Sequence, residues 1–147
     1  MLQIKVKYLA DIDPISETKR GEFVIGDMID LRCAEDIEMK QGESRIIPLG
    51  IAMQLPEGYE AHLYPRSSTF NKYKILLVNS VGIIDNSYCG DNDEWKFMAY
   101  ATEDTKIEKN TRICQFRIVE KQPSFEIVAV DHLGNPDRGG IGSTGEK

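Results

Sequence analysis

Apolar and polar residues alternate along residues 49–64, which read Leu49-Gly50-Ile51-Ala52-Met53-Gln54-Leu55-Pro56-Glu57-Gly58-Tyr59-Glu60-Ala61-His62-Leu63-Tyr64. Side chains two residues apart lie on the same face of a β-strand, so this alternation predicts two half-buried strands. The Pro-Glu-Gly segment between them is typical of a tight turn. The stretch therefore predicts a β-hairpin, with His62 on its polar face.

The same period of two recurs along most of the chain. Only residues 69–74 form a plausible helix, whereas the polar segments 11–26, 35–44 and 103–110 are typical of loops and turns. Many short strands with a single short helix predict an all-β sandwich or jelly roll. Further strands are predicted at residues 4–8, 95–102, 112–120 and 125–129.

Composition limits the classes of partner. The chain has 147 residues, which is most simply one domain, and 41% of them are hydrophobic. Its 18 basic and 24 acidic residues give a net charge of −6, which argues against direct binding of nucleic acid. A free nucleotide is still compatible, because a few local arginines can hold it.

The cysteines and histidines give no sign of a disulfide framework or a zinc site. Cys33, Cys89 and Cys114 are odd in number and widely spaced, which predicts reduced, at least partly buried thiols in an intracellular protein. The two histidines, His62 and His132, have no second ligand close in sequence. Without a long apolar run or a signal peptide, we expect a cytoplasmic protein that does not bind membranes.

Three stretches carry side chains suited to chemistry. Pro65-Arg66-Ser67-Ser68 precedes the predicted helix and combines a guanidinium, two hydroxyls and free backbone N–H groups, as a phosphate site would. Its alternative is a plain serine cap beside an exposed arginine. Gln115 lies among apolar residues of its predicted strand, so its amide should have a partner.

The second stretch, residues 79–91, places Asp85 directly after an apolar run and three residues before Tyr88. Such a loop could hold a flat polar ligand through its main chain, with a carboxylate beside it. An ordinary hairpin turn gives the same pattern. The third stretch, residues 134–147, is rich in glycine, which permits close backbone approach to an anion or leaves a disordered terminus.

Together these motifs resemble those of the trimeric dUTP diphosphatases, the dUTPases. That resemblance implies a distorted jelly-roll or β-clip barrel over residues 1–133, with a C-terminal arm at 134–147 that closes over a neighbouring subunit's site. It further implies a homotrimer that hydrolyses dUTP to dUMP and pyrophosphate with Mg²⁺ and so keeps uracil out of DNA. The matching motifs are Asp30-Leu31, Pro65–Ser68, Gly82–Asp85 with Tyr88 and Gly90, Arg112–Gln115, and Gly142–Gly145.

The resemblance also implies roles for individual residues. Asp85 would be the general base that activates water, and Arg138 would stabilise charge in the transition state. Tyr88 would lie under the deoxyribose, and Asp30 would reach a mostly phosphate-held Mg²⁺ through water. The residues implied in substrate binding are Arg66, Ser67, Ser68, Asn79, Gly82, Ile83, Ile84, Tyr88, Lys96, Gln115, Ile141, Gly142, Ser143 and Thr144.

Three features depart from the family pattern. Ile141 stands where the arm usually has a phenylalanine, the arm is about two residues shorter than usual, and Asp91–Glu94 is an apparent insertion. We expect an active enzyme with a weaker closed state. Two alternatives stay open at this point: a dCTP deaminase-like enzyme of the same fold, and a non-catalytic trimer that binds a nucleotide or a protein partner.

Overall fold

The computed structural model describes residues 2–15 and 27–145. Most of the predicted polar connection at 11–26 and the last two residues of the arm lie outside these ranges. The elements are β1 (Lys5–Tyr8), β2 (Ile29–Arg32), β3 (Ile37–Met39), β4 (Ser44–Pro48), β5 (Ile51–Gln54), β6 (Tyr59–Pro65), α1 (Thr69–Tyr73), β7 (Ile75–Leu77), β8 (Gly82–Ile84), β9 (Lys96–Ala101), β10 (Thr105–Ile107) and β11 (Arg112–Glu120).

Within the described ranges, all strand pairs are antiparallel and form four small sheets. The largest has the order β2-β11-β6-β8, a second has the order β4-β9-β7, and two ribbons pair β1 with β5 and β3 with β10. Their inner faces share one apolar core that includes Trp95, Phe97 and Phe116. The prediction of an all-β jelly-roll fold with one short helix is confirmed.

Residues 49–64 do form two strands, but the predicted hairpin is wrong. β5 pairs with β1, whereas β6 pairs with β11 and β8. The turn at Pro56-Glu57-Gly58 therefore carries the chain from one sheet to another. Periodicity identifies a strand and its buried face, but it does not identify the partner strand. His62 is half-buried and pairs with the Glu60 carboxylate at 3.0 Å.

Two of the three polar segments predicted as loops and turns contain strands that pair with each other. β3 and β10 lie within residues 35–44 and 103–110, and their register places Glu38 opposite Lys106. Each strand has three residues; β3 buries Ile37 and Met39, β10 buries Ile107, and the middle residue of each strand is charged and exposed. So short an alternation is masked by the surrounding charges.

The predicted last strand at residues 125–129 is absent from the described structure. Residues 121–145 are exposed and lie outside the sheets.

The cysteines also correct an expectation, because Cys89 is exposed whereas the other two are buried. Among the described residues, no helix has the length and apolar character needed to cross a membrane.

Candidate active site

A cluster of charged side chains lies across one corner of the four-stranded sheet. Asp30 on β2 accepts from Arg66 Nε at 3.0 Å through Oδ1 and from Arg112 Nη1 at 3.2 Å through Oδ2. Arg66 Nη1 also donates to the Arg112 carbonyl at 3.3 Å. One carboxylate thus holds two guanidinium groups that would otherwise repel each other, and the trio keeps a net charge of +1.

Gln115 belongs to the same corner. It lies opposite Asp30 on one side and Tyr64 on the other, and its Nε2 donates to the Pro65 carbonyl at 3.1 Å. The expectation that this amide has a partner is confirmed. The contact ties β11 to the residue that precedes Arg66.

The serines before the helix do not act as expected from the cap pattern. Ser68 is the N-cap, but its side chain makes no capping hydrogen bond. The buried hydroxyl of Thr69 does not cap the helix either; it accepts from the Arg66 N–H at 2.8 Å and donates to the Ile113 carbonyl at 2.8 Å, and so ties the residues before the helix to β11. Among the described residues, the Ser67 and Ser68 hydroxyls have no hydrogen-bond partner and are available to a ligand.

Asp85 lies on a tight turn directly after β8. The hydroxyl of Ser87 and its backbone N–H, at 2.9 Å, both donate to Asp85 Oδ2. These bonds lower the pKa of Asp85, the hydroxyl having the larger effect. The carboxylate is therefore ionised at neutral pH, and its Oδ1 accepts no hydrogen bond from the described residues.

A pocket of about 280 Å³ opens beside this turn. The Tyr88 hydroxyl at its edge donates to the Glu94 carbonyl at 2.9 Å. Five of the predicted site residues meet here, whereas Asn79 and Gly82 lie outside the lining. The lining residues are Ile83, Ile84, Asp85, Tyr88, Glu94, Trp95 and Lys96. β8 and β9 are in different sheets, so this stretch connects two sheets, and the alternative of an ordinary hairpin turn is wrong.

Sequence reasoning missed the residue that holds this turn in place. The Asn86 amide nitrogen donates to the carbonyls of Pro56 and Tyr59, each at 2.8 Å. These two acceptors lie at the turn between β5 and β6, which is distant in sequence. An Asp-Asn-Ser segment predicts a turn, but nothing local predicts its anchor.

The two halves of the predicted site lie at opposite corners of the sheet. Asp30, Gln115 and Tyr64 share one row, whereas Asp85 follows Ile84, which pairs with Ala61. Asp85 is therefore offset from Asp30 by four residues along the strands and by three strand spacings across the sheet. In a flat sheet this offset separates the two residues by roughly 20 Å. One chain therefore does not bring Asp85 to the paired arginines.

The arm does not complete the site within its own chain. Arg138 and residues 141–144 are exposed, and their backbone hydrogen bonds stay within the arm, from Ser143 N to the Gly140 carbonyl and from Gly145 N to the Gly142 carbonyl. Ile141 is fully exposed. The arm is a separate element that can contact another surface.

The surroundings of Asp30 suit a cation that the protein holds only through water. Mg²⁺ prefers oxygen ligands and keeps several waters. Within residues 2–15 and 27–145, no three His, Cys, Asp or Glu side chains form a metal-binding group, and both Asp30 oxygens already accept from arginines. This arrangement fits an ion held on phosphate oxygens, with Asp30 contributing through water.

Comparisons with known proteins agree with this fold and identify the family. The dUTPase family model matches residues 26–145. The SPbeta prophage-derived deoxyuridine 5'-triphosphate nucleotidohydrolase YosS of Bacillus subtilis is 55% identical over 146 residues, covering 99% of this chain and 100% of the relative. The deoxyuridine 5'-triphosphate nucleotidohydrolase of Clostridium acetobutylicum is 35% identical over 150 residues, covering 100% and 99%.

Solved structures match at the level of the fold. The Staphylococcus bacteriophage 80alpha dUTPase with dUPNHPP superposes with a TM-score of 0.72 at 22% identity, covering 98% of this chain and 99% of that one. The dUTPase from Streptococcus mutans gives a TM-score of 0.68 at 21% identity, covering 82% and 98%. Since the family model spans most of the chain and a relative matches it from end to end, the chain belongs to the dUTPase family.

Proposed function

We propose that this chain hydrolyses dUTP to dUMP and pyrophosphate. The observation that carries the proposal is Asp85, an ionised carboxylate on an anchored turn at the edge of a pocket that also contains Tyr88, with one oxygen that accepts no hydrogen bond from the described residues. A general base needs a free acceptor aimed at water and a rigid support. Ser87 and Asn86 provide that support.

In the proposed reaction, Asp85 removes a proton from a water molecule while the oxygen of that water bonds to the α-phosphorus. The bond from that phosphorus to the bridging oxygen breaks, and its electron pair leaves with pyrophosphate. Arg66 and the hydroxyls of Ser67 and Ser68 bind the phosphates, with Gln115 assisting. Arg138 stabilises the charge that develops in the transition state.

The pocket beside β8 is the proposed nucleoside site. The backbone of Ile83 and Ile84, with Asn79, Gly82 and Lys96, would read the edge of the uracil. The Tyr88 ring would lie under the deoxyribose and leave no room for a 2′-hydroxyl. Ile141 would cover the base by apolar contact, and Gly142, Ser143 and Thr144 would close over the phosphates.

We infer a homotrimer whose sites are shared between subunits. The roughly 20 Å between Asp85 and the arginine corner supports this, because a neighbouring chain can supply the missing half. One outer face of the β4-β9-β7 sheet also supports it. Register places five large apolar side chains there, each 40–56% exposed: Ile46, Leu76, Val78, Met98 and Tyr100. Such a patch marks an interaction surface.

The arm and its approach provide a second surface for a neighbouring subunit. Phe125, Ile127, Val128 and Val130 are more than half exposed, and residues 122–145 form no backbone hydrogen bond with the rest of the described chain. Exposing this many apolar side chains to water costs free energy, which burial against another surface would recover. Covering them with a second copy would place the arm over that copy's site.

Mg²⁺ would be held mainly by the triphosphate, with Asp30 in contact through water. When bound, it would neutralise phosphate charge and orient the chain of phosphates. The cytoplasm is the proposed location, since the three cysteines are free thiols and free thiols persist in reducing compartments.

The decisive test is pyrophosphate release from dUTP, dTTP, dCTP and UTP with Mg²⁺. We expect turnover of dUTP alone, and Asp85→Asn should lower it by about 100-fold or more while dUTP binding remains. Asp91→Asn, on an exposed carboxylate further along the same connection, serves as the matched control. Ammonia release from dCTP would instead indicate a deaminase, and nucleotide binding without turnover would indicate a non-catalytic trimer.

A further inference from the structure

The acidic insertion Asp91–Glu94 is folded into a fixed turn. The Gly90 N–H donates to Asp93 Oδ2 at 2.8 Å, and the Asp93 N–H donates back to the Gly90 carbonyl at 3.1 Å. Immediately after it, the Trp95 N–H donates to the Ile51 carbonyl at 2.9 Å. Both ends of the insertion are therefore held by hydrogen bonds.

Glu94 connects this turn to the body of the protein. Its Oε2 accepts from the Gly50 N–H at 3.0 Å, while its own backbone carbonyl accepts from the Tyr88 hydroxyl at 2.9 Å. Gly50 is buried, so its N–H needs a partner. The side chain and the carbonyl of one residue thus join a fixed backbone position to the tip of Tyr88.

Gly50 is a rigid point of attachment. Its φ is +70°, and a Cβ there would lie 3.0 Å from the Ala34 Cβ and 3.1 Å from the Ala10 Cβ. Backbone packed this closely does not shift freely. At the other end, the Tyr88 N–H donates to the Asp85 carbonyl at 3.0 Å, so the main chain and the hydroxyl of Tyr88 are both fixed.

We propose that Glu94 is a positioning residue for sugar selection: it holds the Tyr88 ring in place by bonding to Gly50 and to the Tyr88 hydroxyl. This inference rests on the proposed function, in which Tyr88 excludes the 2′-hydroxyl. A ring that excludes one oxygen atom must be held within a fraction of an ångström. Without Glu94 the ring can retreat and admit a ribonucleotide.

The test is the ratio of kcat/KM for dUTP to that for UTP. Glu94→Ala should lower this ratio by about tenfold or more, mainly by raising turnover of UTP. Glu94→Gln should retain the ratio, because the amide oxygen still accepts from Gly50. Asp91→Ala, which loses only an exposed ion pair with Lys7 at 3.7 Å, should also retain it.

Tyr88→Phe gives a second route to the same test, because it removes the hydroxyl and keeps the ring. It should lower the ratio, and adding Glu94→Ala should then change it little, since the two substitutions break successive bonds of the same connection between Gly50 and the Tyr88 ring. Equal losses of kcat/KM for dUTP and UTP in Glu94→Ala would overturn the inference. So would an unchanged ratio in Tyr88→Phe. A wild type that releases no pyrophosphate from dUTP would instead overturn the proposed function on which it rests.

Discussion

The hydroxyl of Thr69 is buried and makes two hydrogen bonds, one to Arg66 N and one to the Ile113 carbonyl. Thr69→Val replaces that hydroxyl with a methyl group of similar volume, so no cavity forms. Each lost hydrogen bond costs about 1 kcal/mol, and the partly buried Arg66 N–H left unpaired adds a desolvation penalty of about 1 kcal/mol or more. We therefore expect the free energy of unfolding to fall by about 3 kcal/mol.

The assay is urea denaturation at fixed protomer concentration, since assembly contributes to apparent stability. Thr69→Ser is the control, because it keeps the hydroxyl and loses only a methyl, which costs about 1 kcal/mol. Thr69→Val should also raise KM for dUTP more than Thr69→Ser does, because Arg66 loses its support. A loss of stability in Thr69→Val within about 0.5 kcal/mol of zero would refute the reasoning, since that is the range of surface changes.

Three further outcomes are expected. Ser87→Ala removes the larger cause of the lowered pKa of Asp85, so that pKa should rise. The acid limb of the pH profile of kcat/KM should then move to higher pH, with little change in kcat/KM at neutral pH. An unmoved acid limb would contradict the assignment of Asp85 as the base. Truncation after Asp137 should leave a folded trimer by light scattering with little turnover, and full activity would rule out a role for the arm. Cys89 alone should react rapidly with a thiol reagent in the native protein, because burial raises the pKa of the other two thiols; fast labelling of three thiols would contradict this.

Long strands with one buried face could be predicted from the sequence. β9 and β11 match their predicted ranges, and along β9 the alternation of buried and exposed side chains follows the sequence pattern. β3 and β10 could not be predicted, because three-residue strands between charged loops have too little pattern. The segment 125–129 has the pattern of a strand but no partner strand in the described chain.

The candidate site divides in the same way. Residues near each other in sequence, such as Asp85 and Tyr88, could be predicted as a unit because a short turn keeps them together. The ion pairs of Asp30 depend on the register of β2, β11 and β6, which no local pattern specifies. Glu94 was visible only as part of an insertion, since its partner Gly50 lies 44 residues away in sequence.

The arrangement of Asp30 with its two arginines has a consequence for catalysis. Two guanidinium groups placed close together without Asp30 would separate, and a phosphate would have to draw them back as it bound. With Asp30 between them, Arg66 and Arg112 already lie together before substrate arrives. Positive charge that is already in position stabilises a transition state more than charge that must first be rearranged. In the proposed reaction Asp30 would thus assist by holding the arginines together, in addition to its proposed water-mediated contact with Mg²⁺.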